Sequence, residues 1–478
     1  MGKEISSKEF SAHDEALFTK KLKEETSALK SWFDEKRFKM SSPMVGIELE
    51  AWLVDKNSLP NPCGPDFLKN LNHSQVVPEI SRFNFEINST PYYFTGDAFS
   101  KLESEMQSLW NKCEEEAKEI GAETTLMGTL ATLRPEMLSM DYLTPSNRYS
   151  VMNDQIMRSR EGKPLFIHLE GKDSIQLEMD SVIAECAATS LQVHLGVSLE
   201  SAKRYYNASL IASSFTVAVS ANSPYFFGRE LWDESRIKTF EQVVDVESSS
   251  SKNEKTVKRV SLGSGYVTDS LFELFEENLD AYSILLPELQ EGEVESFNHL
   301  NLHNGTIWRW TRPIIGQNED GTKHLRIEQR TPSAGPTIVD TIANSMFFLG
   351  LCDFLANMPN PPEDLLSFKD CTENFYLAAK QSFYCRLTWL DGSKKDILNI
   401  LKNELIPGVK SSLEKRAISK KDIDYYIGQI IEERVNTGIN GARWQKAWIH
   451  RNGKKFQELM EVYNENVKTG KPVHLWNI

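Results

Sequence analysis

The chain has no Cys-x-x-Cys pair, no uninterrupted apolar run of membrane-spanning length, no glycine-rich phosphate loop and no excess of positive charge. Each absence removes a class of function. Six widely spaced cysteines (Cys63, Cys113, Cys186, Cys352, Cys371, Cys385) in 478 residues make neither a disulfide framework nor a zinc site. Reduced thiols and a cytoplasmic setting are therefore expected. The most apolar stretches, 212–221 and 346–358, fall short of the roughly 20 residues a span needs and carry Ser, Asn or Asp. No membrane partner is expected. A formal net charge of −14 argues against nucleic acid as a partner, because phosphate neutralisation needs a clustered basic face. Nor does any Ser/His/Asp or Cys/His constellation suggest a covalent nucleophile.

What remains is a set of short strand-like segments with charge on one face. They are Gly46-Ile47-Glu48-Leu49-Glu50, Phe83-Asn84-Phe85-Glu86-Ile87-Asn88, Leu191-Gln192-Val193-His194-Leu195-Gly196 and Leu325-Arg326-Ile327-Glu328-Gln329-Arg330. Side chains alternate along a strand, so Glu48 with Glu50, Gln192 with His194, and Arg326 with Glu328 and Arg330 point one way. Ile47, Leu49, Val193, Leu195 and Ile327 point the other way, toward a core.

Residues 1–40 read as an N-terminal helical segment, 41–360 as a catalytic core and 361–478 as a helical C-terminal region. Within the core, 56–66 reads as a turn-rich loop, and 97–121 as a helix capped by Asp97 and stopped by Gly121. Residues 124–130 read as a strand and 200–220 as a helix. The serine-rich run at 248–254 reads as a surface loop. A hairpin is expected between 306–310 and 324–330, across the turn at 318–321. The fold class is α+β: a mostly antiparallel sheet with one wet face, helices over the other, and a helical C-terminal region.

Glu48 and Glu50 would stand about 7 Å apart. They would repel by about 2 kcal/mol at an effective dielectric of about 20, a repulsion that a bound cation reverses. Magnesium, which takes oxygen ligands, suits such a pair. A solvated sheet face explains the same spacing, and a lone Glu86 on such a face would be unremarkable. His194 is a metal ligand or a hydrogen-bonded structural histidine. The triplet around Glu328 is an ion-pair ladder, or a phosphate and carboxylate clamp with a metal ligand between two arginines.

Taken in order, these pieces resemble the glutamate–cysteine ligases and their relatives, carboxylate–amine ligases of the glutamine synthetase-like superfamily. The resemblance rests on Gly46–Glu50, Asn84-Phe-Glu86 with Thr90-Pro91, Arg148-Tyr149, Gln192–Gly196, Asn222-Ser-Pro224, Thr306-Ile-Trp308, Arg312-Pro313, Arg326–Arg330 and Asn440–Gln445. It implies a funnel of antiparallel strands with ATP at one end and amino-acid substrates at the other. It further implies that Glu48, Glu50, Glu86, His194 and Glu328 hold Mg²⁺. Arg330, Arg312 and Glu328 would act on the transferred phosphoryl group or a substrate carboxylate, and Arg326, Gln192 and Trp308 would contact nucleotide. Relatives often carry a second histidine where this chain has Gln192, and usually lack an arginine like Arg326. The implied reaction joins glutamate to cysteine, or another carboxylate to another amine, through an acyl phosphate, a step of glutathione biosynthesis. A non-catalytic nucleotide- or metal-binding homologue is the alternative. Homo-oligomerisation is left open.

Overall fold

The computed structural model describes residues 4–40, 42–246, 258–318 and 320–478; the serine-rich run at 248–254 lies outside them. Along the described chain the strands are β1 (Met44–Val54), β2 (Val76–Pro78), β3 (Asn84–Asn88), β4 (Tyr92–Tyr93), β5 (Glu123–Thr125), β6 (Leu165–Glu170) and β7 (Ser174–Met179). After these come β8 (Leu191–Val197), β9 (Tyr225–Phe226), β10 (Arg229–Glu230), β11 (Thr311–Gln317), β12 (Lys323–Gln329), β13 (Arg386–Thr388) and β14 (Lys394–Asp396). One sheet dominates, in the order β11-β12-β8-β1-β3-β2, with β4 and β5 pairing to opposite ends of β1. Every pairing in it is antiparallel.

The composition of β1 explains its position. Its alternating half, Val45 to Glu50, gives the sheet one apolar and one acidic face, whereas Ala51 to Val54 is buried on both sides. There Trp52 stacks on Phe83, with ring centroids 5.7 Å apart, and its indole N–H donates to the Met127 carbonyl at 2.8 Å. On the apolar face Ile47, Leu49, Val193, Leu195 and Ile327 are buried. Helices Ala202–Ser220 and Ile338–Ala356 cover that side. The second is long and apolar enough by length and composition to cross a membrane, yet 94% of it is buried inside the fold. Two of its polar side chains accept from a buried arginine: Arg434 donates to Asp340 at 2.6 Å and to Asn344 at 2.5 Å. C-terminal helices, among them Ile406–Lys415, pack on this core helix.

Several local expectations change. The hairpin forms from β11 and β12, and 306–310 is irregular chain between helix Asn298–Asn304 and β11. Pro313 sits within β11, tolerated because β11 is an edge strand with no partner on its far side. The expected strand at 124–130 shortens to β5, because beyond it the backbone bonds elsewhere: Met127 O accepts from Trp52 and Gly128 N–H donates to Asn222 O. The loop at 56–66 gives way at its end to helix Gly64–Leu71, started by Pro65. A side chain at Gly64 would place its Cβ 2.4 Å from the Arg82 carbonyl oxygen. Asp97 precedes helix Ala98–Glu119 but its carboxylate accepts no capping hydrogen bond; it pairs with Lys101 at 2.8 Å instead.

Candidate active site

Sheet register sets out the polar face in rungs. Arg312, Glu328, His194 and Gly46 lie opposite one another across β11, β12, β8 and β1. The next rung runs Gln192, Glu48, Asn88, and the one after it Glu50, Glu86. Four segments distant in sequence thus bring every predicted acid, the histidine and the arginines onto one surface.

The half of this surface around Glu328 is internally paired. Arg312 grips Glu328 with two hydrogen bonds, Nε to Oε2 at 2.8 Å and Nη2 to Oε1 at 3.1 Å. Arg330 Nη1 reaches Glu328 Oε2 at 3.2 Å and also donates to Gln192 Oε1. Burial pushes the Glu328 carboxyl up, but Arg312 and Arg330 outweigh it and hold the group well below the usual carboxylate range. His194 Nε2 lies 3.0 Å from Glu48 Oε1. Burial likewise raises Glu48, and the imidazole more than offsets this, bringing it to about 2. His194 Nδ1 is buried without a hydrogen-bond partner.

The other half carries excess negative charge. Glu50, Glu79 and Glu86 present oxygens within 4.8 Å of one another. Burial, then the neighbouring Glu48, raises Glu86 to about 7. Burial and the charges of Glu86, Glu50 and Glu185 push Glu79 far up, and burial with Glu50 raises Glu185 to about 8. Glu50 is raised by burial despite the Ser190 amide and hydroxyl, which donate to it at 2.6 and 2.8 Å. Carboxyls raised by burial and then by one another form a set whose charge a bound cation would offset. An all-oxygen donor set of this kind fits Mg²⁺. The trio Glu48, His194 and Glu328, also within 4.8 Å, offers a second, mixed set.

The carboxylates and arginines line a cavity of about 240 Å³, whereas His194 lines an adjoining one that shares Glu48 with it. Helix Asn147–Ser159 closes the 240 Å³ cavity with Arg148 and Tyr149, helix Ser235–Val243 with Phe240, and the loop before β11 with Trp308. Trp308 stands edge-on to Phe240, ring centroids 6.5 Å apart. Arg326 also lines it. Gln192 is wedged between two site charges: its oxygen accepts from Arg330, and its amide donates to Glu50 at 3.3 Å. Glu79 and Glu185 are site residues that strand alternation does not reveal. Glu79 follows β2, and Glu185 lies in a short helical turn, Val182–Ala187. The available signal was a lone acid within the otherwise apolar run Val182-Ile-Ala-Glu-Cys-Ala. Two other quoted motifs meet away from the cavity: Gln445 Nε2 donates to Asn222 Oδ1 at 2.9 Å, and a Cβ at Gly441 would meet that same oxygen at 2.1 Å. They are scaffold.

Residues 44–260 match the model of Glutamate-cysteine ligase family 2. No curated protein sequence matches the chain. Among solved structures, the fold is similar to the glutamate–cysteine ligase of Francisella tularensis determined in complex with AMP. That likeness covers 91% of this chain and 90% of the other at 13% identity, with a TM-score of 0.57. A bifunctional glutathione synthetase from Pasteurella multocida is also similar over 93% of this chain and 55% of its own, at 10% identity and a TM-score of 0.47. The comparisons thus agree on a match of residues 44–260 to Glutamate-cysteine ligase family 2 and on a fold shared with a glutamate–cysteine ligase.

Proposed function

We propose that the protein is an ATP-dependent carboxylate–amine ligase, with glutamate and cysteine as its simplest substrate pair. One observation carries this reading: a single cavity holds a surplus of carboxylates at one end and guanidiniums at the other. That arrangement suits a metallated triphosphate presented to a second anion.

In this reading Glu50, Glu79 and Glu86 would hold one Mg²⁺, and Glu48, His194 and Glu328 another. Bound there, the ions would neutralise phosphate charge and favour its transfer. Arg330, aimed into the cavity by Gln192 and Glu328, would stabilise charge on the equatorial oxygens of the transferred γ-phosphoryl group. Arg312, fixed by two bonds to Glu328, would orient phosphate or substrate carboxylate. Trp308 with Phe240 offers an aromatic wall for the base of the nucleotide. A substrate carboxylate oxygen attacks the γ-phosphorus, the bond to the ADP oxygen breaks, and an acyl phosphate forms. The amine then attacks the carbonyl carbon, phosphate departs with the C–O electron pair, and the nitrogen loses its proton. The protein positions and stabilises; it forms no covalent bond.

Phosphate release from Mg-ATP with glutamate and a panel of amines tests the proposal. Cysteine should give the fastest rate. A rate with another amine alone would replace the named acceptor, and ATP binding without any ADP formation would favour a non-catalytic homologue.

A further inference from the structure

Among the arginines of the site, Arg326 is the one without a partner. Arg312 and Arg330 rest on Glu328, and behind the site Arg236 rests on Glu234 at 3.2 Å. Arg326 forms no ion pair with any described residue, and its Nε is buried without a hydrogen bond. Register explains why. Its cross-strand neighbours are Gly196 in β8 and Ile314 in β11, and neither supplies an acid. Its near neighbours on the same strand face are Glu328, already held by two other arginines, and His324. Arg326 is half-buried and its guanidinium cannot shed its charge, so an anion arriving in the cavity would meet a cation with no counter-ion among the described residues.

The place it occupies shows what would satisfy it. Besides the 240 Å³ cavity, Arg326 lines an adjoining one of about 330 Å³ and a wider one of about 660 Å³. It stands where the three adjoin. The wider cavity is bounded by Gly46, Glu48, Ser89, His194, Gly196 and His324. The cation-seeking trio Glu50, Glu79 and Glu86 lies toward β3, three strands from β12, about 14 Å at ordinary strand spacing. Triphosphate drawn to that trio and to Arg330 leaves Arg326 facing the other reactant.

We infer that Arg326 is a specificity-determining residue that binds, through its planar fork, a carboxylate of the amino-acid substrate in the wider cavity. This rests on the ligase reading for the identity of the reactants, and it separates Arg326 from nucleotide contact.

The test is calorimetric titration of wild type, Arg326→Gln and Arg326→Lys with L-glutamate, L-cysteine, the α- and γ-carboxamides of glutamate, and Mg-ATP. Thermal midpoints serve as the folding control. Loss of a charged hydrogen-bond pair should weaken the bound amino acid by about tenfold or more in Arg326→Gln. Arg326→Lys, which keeps the charge but not the fork, should recover part of that loss. The carboxamide that neutralises the contacted group should bind wild type and Arg326→Gln alike. Mg-ATP affinity should stay within about threefold of wild type, since nucleotide makes no contact there. A fall in Mg-ATP affinity with amino-acid binding intact would overturn the assignment in favour of a phosphate anchor. Equal amino-acid affinities, or no amino-acid binding to wild type, would overturn it outright. Amino-acid binding that depends on Arg326 in a protein that never releases phosphate would keep this assignment and end the ligase reading.

Discussion

Around Glu328 each acid has a base: Arg312 and Arg330 on Glu328, His194 on Glu48. Around Glu86, one strand away from Glu48, four carboxyls crowd together, and the Ser190 and Asn88 donors with the charge of Arg330 offset only part of their burial and repulsion. Both halves come from the same sheet and share a cavity, yet one is held together by its charges and the other is strained by them. A pre-paired end is rigid before any ligand arrives. An over-charged end stores repulsion that a cation releases on binding.

The sharpest way to break this comparison is to neutralise one acid in each half. Glu328→Gln should lower turnover by about 10²–10³-fold. It should also destabilise the protein by about 3 kcal/mol, because two buried arginines lose their counter-charge. Chemical denaturation and phosphate release measure the two effects. Glu86→Gln should cost turnover comparably but raise the metal-free thermal midpoint by a few degrees. If both variants lose stability, the halves do not differ as argued.

A pH series sharpens the same contrast. Glu86 at about 7 and Glu185 at about 8 are raised in the folded state, so that state binds the extra protons above the ordinary carboxylate range. Metal-free stability should therefore fall as pH rises from about 5 to about 8, and millimolar Mg²⁺ should flatten the slope. Glu48, lowered to about 2, contributes in the opposite sense: its stabilisation is complete above the ordinary range and is lost only as pH falls toward 2. Thermal midpoints at unit steps of pH, with and without Mg²⁺, check both signs. The smallest effect belongs to Gln192→Leu, which removes the bridge between the halves. It should cost about 1 kcal/mol and raise KM for Mg-ATP several-fold as Arg330 loses a fixed position.

Where physical periodicity is strong, the sequence is a good guide. The facing of Glu48, Glu50, Gln192, His194 and Glu328 follows from alternation between polar and aliphatic residues. Glu79 and Glu185 escape because one follows the end of a short strand and the other lies in a single short helical turn, where no period assigns a direction. Their role is set by tertiary placement over the sheet. The strand that pairs with β12 begins at Thr311, five residues beyond the expected start, and runs through Pro313, which an edge position tolerates; edges are a property of the assembled sheet. The rungs themselves, which decide that Arg326 faces glycine rather than an acid, depend on long-range register.

Helix Ala12–Asp34 is docked through a buried contact in which Glu25 meets His299 at 2.5 Å and accepts from the Leu300 amide at 2.8 Å. The chain leaving it crosses the sheet's polar side, Lys39 N–H donating to the Lys323 carbonyl at 3.3 Å. Met40 packs where a Cβ on Gly196 would stand 2.8 Å from its terminal methyl. Lys39, Met40 and Ser42 are thereby part of the rim of the widest chamber. A shortened protein beginning at the first strand would keep every charged group of the 240 Å³ cavity and still present a differently shaped mouth, so its ligand preferences would be those of another vessel.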